Sequence, residues 1–302
     1  MTAVARYSAR TDTGKKRRRN EDAFVLAPPL FAVADGMGGA QAGEVASRLA
    51  AAALEDTDPG RLTGPEKVAS LIQEANRRVH ERANTDPSTS GMGTTMTVAL
   101  VEDGGVVIGH VGDSRAYLVR DGGMEQITED HSLVNELLKS GRLSPEEAET
   151  HPQRSVITRA VGTDPDVDVD SFTVDAQDGD VFLICSDGLT DMVDDDEILE
   201  TVKRFDGDLD RVTKQLIAEA NKGGGEDNIT VVAFSIGSRD GGVPDDTATM
   251  PAIVFPEAGE TREDIGVRTP KPPSPAARVR VVLGALILLA IAVSLLLWGL
   301  LH

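Results

Sequence analysis

Four apolar, strand-like runs of this sequence carry an aspartate at one end. Three runs end on Asp35, Asp113 and Asp187, each followed by glycine or serine, and a fourth begins just after Asp227. Because buried strands project side chains from their ends at fixed positions, these carboxylates can converge on one point. Clustered anions without compensation are very costly. Oxygen ligands of this kind suit Mg²⁺ or Mn²⁺ rather than zinc, so the sequence predicts a metal-dependent enzyme.

Strand and helix patterns in the first 237 residues predict an α+β domain. The strand-like runs follow one another through short turns, such as residues 102–105 and 120–123, which favours antiparallel pairing. The helical patterns come in blocks rather than one per strand, which favours a layered sandwich. The predicted strands are 22–27, 30–35, 94–103, 105–113, 114–121, 167–174, 180–187 and 228–236, and the predicted helices are 43–54, 65–84, 194–204 and 209–221.

Composition narrows the class of function. The formal net charge of −20 argues against nucleic-acid binding, which needs a basic surface. Cys185 is the single cysteine, so an intrachain disulfide is excluded and a reducing compartment is expected. Its apolar neighbours predict a packed core thiol rather than a reactive one.

A membrane anchor is predicted at the C-terminal end. Residues 281–301 form an uncharged run of 21 residues, which at about 1.5 Å per residue crosses a hydrocarbon core of about 30 Å. Basic residues precede this run and only His302 follows it, so the positive-inside rule places the N-terminal bulk in the cytoplasm. No secretory signal is predicted. We therefore expect a catalytic domain over 1–237, a flexible linker over 238–277 and a transmembrane anchor over 278–302 of a cell-membrane protein.

A helix-forming, turn-rich insert, residues 130–162, separates two blocks of strands. Insertions of this size are often lids or substrate loops, although helical packing alone would also account for its leucines.

Seven short motifs follow one another in order along the first 230 residues. They are RRRNED at 17–22, ADGMGG at 34–39, GMGTT at 91–95, GDSRAY at 112–117, HPQRS at 151–155, CSDGLTD at 185–191 and GGGEDNIT at 223–230. Together they resemble the metal-dependent protein serine/threonine phosphatases of the protein phosphatase 2C (PPM) family, particularly the bacterial form. This resemblance implies two packed antiparallel β-sheets flanked by helical layers, an α/β/β/α sandwich, with a metal cluster at one end.

The resemblance also implies roles for individual residues. Asp35 corresponds to a ligand that bridges two metal ions, with the Gly36 carbonyl on one of them, and Asp187 and Asp227 correspond to the remaining carboxylates. Asp22 corresponds to a nearby carboxylate that acts mostly through bound water. Two divalent ions about 3.5–4 Å apart acidify a bridging water and offset charge on the phosphoryl oxygens, so hydroxide becomes available near neutral pH.

Three further positions follow from the resemblance. Arg17 corresponds to an arginine that binds the substrate phosphate, which suits the planar fork of a guanidinium. Arg18 or Arg19 could take this role if the register shifts, and the basic run could also be a solvated patch. Asp113 and Ser155 correspond to ligands of a third, weaker metal ion, although Asp113 could instead cap a tight turn.

One position departs from the family pattern. Many eukaryotic members have a histidine after the Asp-Gly pair, proposed to protonate the leaving alkoxide, and this chain has Met37 there. The general acid is therefore unassigned, and a metal-bound water could serve. His131 and His151 are expected to be structural or peripheral.

The expected partners are phosphorylated proteins, including a membrane serine/threonine kinase, and the lipid bilayer. The alternative is a membrane-tethered pseudophosphatase that binds phosphoproteins without turnover, for which the discriminating feature would be loss of the metal carboxylates. A cysteine phosphatase is excluded, because an arginine is required six residues after the nucleophile and Asp191 stands at that distance from Cys185.

Overall fold

A computed structural model gives the structure of the chain, which is described here for residues 2–38, 42–149, 151–237 and 253–254. The chain divides into two units, residues 1–259 and 260–302, and every described residue belongs to the first. Two antiparallel sheets form the centre of this unit. The first sheet has the order β1-β11-β10-β7-β8, and the second has the order β12-β2-β3-β5-β6-β9 with β4 paired to β3.

The strands are mostly short and follow the predicted turns. Their bounds are β1 Val4–Asp12, β2 Asp22–Ala27, β3 Leu30–Met37, β4 Gly93–Thr94, β5 Met96–Glu102, β6 Gly105–Val111, β7 Arg115–Arg120, β8 Gly123–Gln126, β9 Asp170–Asp175, β10 Val181–Cys185, β11 Ile229–Ile236 and β12 Ile253–Val254. The helices are α1 Ala42–Asp56, α2 Gly64–Thr85, α3 Leu133–Lys139, α4 Pro145–Glu149, α5 Asp187–Thr190, α6 Asp195–Arg204 and α7 Leu209–Gly223, with a short 3₁₀ turn at Pro87–Thr89.

Continuous apolar runs arise because central strands are covered on both faces. In β10, Phe182 and Ile184 point into the core between the sheets, whereas Leu183 and Cys185 point into the core under the helices. Successive side chains of a strand alternate between faces, so a strand buried on both sides is apolar at most successive positions. Burial raises the pKa of the Cys185 thiol to about 12, which confirms the predicted inert core cysteine.

Helices cover the outer face of each sheet. Helices α1 and α2 pack against the second sheet, and α6 and α7 pack against the first, which gives the predicted α/β/β/α layers. Between the sheets, Phe234 stacks on Phe31 and Phe182 with ring centroids 4.3 and 5.1 Å apart. The resulting sandwich is rigid at its centre and presents strand ends at its edges, where the predicted aspartates lie.

The four helices predicted from periodicity are confirmed to within two residues at each end. Strand β1 is not predicted by pattern, because its sequence VARYSARTD is largely polar and only half-buried. No helix in the described parts of the chain is long and apolar enough to cross a membrane. The predicted transmembrane run at 281–301 and nearly all of the predicted linker lie outside the described residues, so these predictions stay predictions.

Candidate metal centre and catalytic site

Carboxylates from both sheets meet at one end of the sandwich. Asp22 opens β2 and pairs in register with Asp35 of β3. Asp187 begins helix α5 two residues after β10, and Asp227 precedes the neighbouring strand β11. The Ser186 hydroxyl donates to Asp22 Oδ2 at 2.9 Å, which joins the end of β10 to the start of β2. The structure therefore brings together four residues that are distant in sequence.

Burial and mutual repulsion raise the pKa values of these carboxyl groups. Burial, followed by the negative charges of Asp22 and Asp187, raises the pKa of Asp35 well above its ordinary value. Burial and the charges of Asp113 and Asp227 do the same for Asp187. For Asp22, burial raises the pKa to about 6 although two hydroxyl groups oppose the shift. Such a group is stable in ionised form only beside positive charge.

The residues present fit divalent cations. Asp22 Oδ1 and Asp187 Oδ1 are buried without a hydrogen-bond partner in the described structure. Buried acceptors of this kind are costly, and a hard cation would relieve both the orphaned oxygens and the repulsion between carboxylates. The donor set contains oxygen ligands, as Mg²⁺ and Mn²⁺ prefer.

Glycine is required at Gly36 because the backbone is crowded there. A Cβ atom at this position would lie 2.1 Å from the Gly43 carbonyl oxygen and 2.5 Å from the Glu21 carbonyl oxygen. The Gly36 N–H donates to the same Glu21 oxygen at 3.1 Å. Asp35 is fixed from its other side, since Thr95 N–H donates to its carbonyl at 2.8 Å and its own N–H donates to Thr95 Oγ1 at 2.9 Å. The backbone of Asp35 and Gly36 is thus held in place, and the role of the Gly36 carbonyl as a metal ligand stays a prediction.

The predicted phosphate-binding arginine lies at this site. Arg17 donates to Asp227 Oδ2 at 2.6 Å, while Asp227 Oδ1 accepts the Asn228 N–H at 2.8 Å. Arg19 instead lies 3.7 Å from Glu44, so the contact with the carboxylate group belongs to Arg17. In the described ranges, no three His, Cys, Asp or Glu side chains are grouped closely enough to hold an ion. The assignment of Asp22, Asp35, Asp187 and Asp227 to a metal centre therefore stays a prediction, supported by the interaction of their charges.

The predicted third metal position lies along a cleft of about 760 Å³ beside this group. Asp113, Ser155 and Asp187 all line the cleft, which extends between the insert and helices α5 and α6. Burial and the charge of Asp130 raise the pKa of Asp113 to about 6. Asp113 is buried, whereas Ser155 is exposed. The assignment of Asp113 and Ser155 to a third metal ion stays a prediction, and so does the turn-capping alternative for Asp113.

Sequence reasoning gave no role to Asp191. Asp191 lies four residues after Asp187, on the same side of a helical turn, and also lines the cleft; the spacing in DGLTD was the available signal. His131 holds the turn before Asp113. Its ring Nδ1 accepts the Gly112 N–H at 3.0 Å, and its backbone N–H donates to the Gly112 carbonyl at 2.7 Å. His131 is therefore structural, as expected, and its other ring nitrogen faces Asp170 at 3.2 Å.

Comparison with known proteins agrees with the fold and the motifs. The sequence profile described as "Protein phosphatase 2C" matches residues 15–223. The chain is 42% identical over 244 residues to the serine/threonine protein phosphatase PstP of Mycobacterium tuberculosis, covering 80% of this chain and 47% of that protein. It is also 42% identical over 234 residues to the serine/threonine phosphatase stp of Listeria innocua, covering 74% of this chain and 92% of that protein. The chain thus spans about half the length of the mycobacterial relative.

Solved structures show the same similarity. A crystal structure of the M. tuberculosis phosphatase PstP/Ppp has 42% identity and a TM-score of 0.73, covering 78% of this chain and 100% of that one. A catalytic domain of PstP in complex with two manganese ions has 38% identity and a TM-score of 0.70, covering 79% of this chain and 100% of that one.

Proposed function

Because the chain belongs to the protein phosphatase 2C family, we propose that it hydrolyses phosphoserine and phosphothreonine on proteins with the help of divalent metal ions. The observation that carries this proposal is the convergence of Asp22, Asp35 and Asp187, with two orphaned buried oxygens, at one end of the sandwich. No structural requirement of the fold explains so costly a grouping. A catalytic metal centre does.

The residues take distinct roles in this proposal. Asp35, the Gly36 carbonyl, Asp187 and Asp227 would hold two ions, and Asp113 with Ser155 would hold a third. When bound, the ions would acidify a water molecule and offset negative charge on the phosphoryl group. Manganese is supported by the two ions in the related PstP structure, and Mg²⁺ is the second candidate.

Arg17 would bind and orient the substrate phosphate. Its guanidinium is half-exposed and already contacts Asp227, so it can reach a phosphoryl group placed among the carboxylates. A bidentate contact would fix two phosphate oxygens and so orient the phosphoryl group for attack. The Met37 side chain has no proton to donate, and His131 is engaged elsewhere. A water molecule at the metal centre would supply the proton for the leaving oxygen.

We propose that residues 278–302 anchor the domain at the inner face of the membrane and that residues 238–277 tether it. The uncharged run at 281–301 and the basic residues before it support this placement. Tethering raises the local concentration of membrane substrates, which favours a membrane serine/threonine kinase as a partner. Fractionation of cells expressing the full chain tests this point: loss of residues 278–302 should move the protein from the membrane to the soluble fraction.

The pseudophosphatase alternative is not favoured, because every predicted carboxylate is present in the sequence and the charges of Asp22, Asp187, Asp113 and Asp227 all act on Asp35. The test is hydrolysis of a phosphothreonine peptide by the full chain with Mn²⁺, with EDTA, and with an Asp187→Ala variant. Turnover should require Mn²⁺ and should be lost in Asp187→Ala. Asp168→Ala is the matched control, since its side chain is 89% exposed and lies away from the cleft. Equal turnover under all of these conditions would refute the proposal.

A further inference from the structure

The two oxygens of Asp22 have different surroundings. Asp22 Oδ2 contacts the Thr230 hydroxyl at 2.6 Å and the Ser186 hydroxyl at 2.9 Å, whereas Oδ1 is buried and has no partner in the described structure. An ionised carboxylate only accepts hydrogen bonds, so both hydroxyl groups must donate to Oδ2. The carboxylate is therefore held by one oxygen and presents the other.

A directional chain of hydrogen bonds stands behind Thr230. Its single hydroxyl proton points to Asp22, so its oxygen must accept from the Thr11 hydroxyl, which lies 2.7 Å away. Thr11 in turn accepts from Asn20 Nδ2 at 2.7 Å. The Asn20 side-chain oxygen accepts the Asp22 backbone N–H at 3.1 Å, so this series of hydrogen bonds begins and ends at Asp22.

This arrangement depends on contributions from both sheets. Thr11 of β1 and Thr230 of β11 face each other in register, Ser186 follows β10, and Asp22 opens β2. The Ser186 hydroxyl oxygen also accepts the backbone N–H of Thr230 at 2.9 Å, so the backbone of β11 fixes the Ser186 hydroxyl. Asn20, Thr230 and Ser186 are all buried, which keeps water from replacing these bonds.

We propose that Thr230 and Ser186, with Thr11 and Asn20 behind them, are positioning residues that fix Asp22 Oδ2 and present Oδ1 toward the metal centre. This inference rests on the proposed function, because it assigns Oδ1 to the ions or to water around them. Groups that orient a ligand carboxylate typically change metal affinity about 10–100-fold when removed. These four residues thus contribute to metal binding without themselves touching the ions.

The test measures Mn²⁺ binding to the full chain by isothermal titration calorimetry. Thr230→Val keeps the side-chain shape and removes the hydroxyl, so Mn²⁺ affinity should fall about 10-fold or more, and Thr230→Ser should restore most of it. Thr213→Val is the matched control. Thr213 lies on helix α7, is fully buried, and has its hydroxyl 3.1 Å from that of Ser8, so it takes no part in the hydrogen bonds behind Asp22. Its Mn²⁺ affinity should stay at the wild-type value.

A second variant and a double-mutant cycle guard against misfolding as the cause. Ser186→Ala should weaken Mn²⁺ binding in the same direction, and the hydroxyl of Ser186 makes no helix-capping bond that alanine would lose. In an Asp22→Asn background, Thr230→Val should cause no further loss. Unchanged Mn²⁺ affinity in both Thr230→Val and Ser186→Ala would overturn the inference. It would also be overturned if Thr230→Val lowered Mn²⁺ affinity as much in the Asp22→Asn background as in the wild type, or if Thr213→Val lowered it as much as Thr230→Val. If the wild type binds Mn²⁺ with this dependence yet hydrolyses no phosphopeptide, the proposed function fails and the positioning role stands.

Discussion

Replacing Asp22 by asparagine should make the metal-free protein less sensitive to rising pH. Burial raises the pKa of Asp22 from 3.8 to about 6, so the folded protein binds this proton more tightly than the unfolded chain does. The stability that the proton contributes is full below about pH 4 and is lost as the pH rises through about 6. Asparagine has no proton to lose, so the variant lacks this term.

The size of the effect follows from the pKa. Between about pH 5 and pH 7 the wild type should lose about 1 kcal/mol relative to Asp22→Asn, since pH 5 lies below the folded pKa and pH 7 lies above it. For a domain of this size, that corresponds to about 2–4 °C in the midpoint of thermal unfolding. Burial also lowers the pKa of His110 to about 4, which gives an opposite trend in the wild type. Because both proteins contain His110, its contribution cancels in the difference.

Thermal unfolding of both proteins in EDTA, followed by circular dichroism from pH 5 to pH 7, measures this difference. With saturating Mn²⁺ the sign should reverse, because protons compete with the metal for Asp22 and the wild type gains stability as they leave. A difference in EDTA that is independent of pH, or that rises with pH in favour of the wild type, would refute the reasoning.

Three other substitutions test separate parts of the structure. Arg17→Ala should lower kcat/KM for a phosphothreonine peptide about 10–100-fold, as expected for loss of a charge-assisted hydrogen bond, whereas Arg18→Ala should leave it unchanged; equal losses would place the phosphate contact elsewhere. Gly36→Ala should destabilise the fold by about 1–3 kcal/mol and weaken Mn²⁺ binding, because its Cβ would meet the Gly43 carbonyl oxygen. A variant with the stability and the Mn²⁺ affinity of the wild type, both measured by calorimetry, would contradict the close approach. Phe234→Ala should cost about 3–5 kcal/mol in urea unfolding, since it removes the central ring of the stack between the sheets; a cost below about 1 kcal/mol would contradict that role.

Much of the fold could be predicted because its signals are local. The run VFLIC at 181–185 is uniformly apolar, and the run ITVVAF at 229–234 is apolar apart from Thr230, since both faces of these strands are covered. The short turns between strands indicate antiparallel pairing. The family resemblance and the two-sheet architecture are confirmed. Strand β1 escaped prediction because it is half-buried at the edge of the first sheet and lacks apolar alternation.

The candidate carboxylates could be selected from the sequence, whereas the hydrogen bonds that hold them could not. Asp35 and Asp187 stand out in sequence because each follows an apolar run and precedes glycine. Thr11 and Thr230 carry no such signal, since their contact depends on the pairing of β1 with β11, strands at opposite ends of the domain sequence. Likewise, nothing near His131 in sequence indicates its bond to Gly112, which forms only when the insert folds against the turn.

The central claim is that carboxylates remote in sequence gather around a pair of divalent ions. Anomalous diffraction at the manganese edge, from crystals of the protein grown with Mn²⁺, tests it most directly. We expect two manganese peaks about 3.5–4 Å apart, both contacting Asp35, with Asp187 and Asp227 on one of them. Manganese bound away from Asp35, or no ion at this end of the sandwich, would contradict the account.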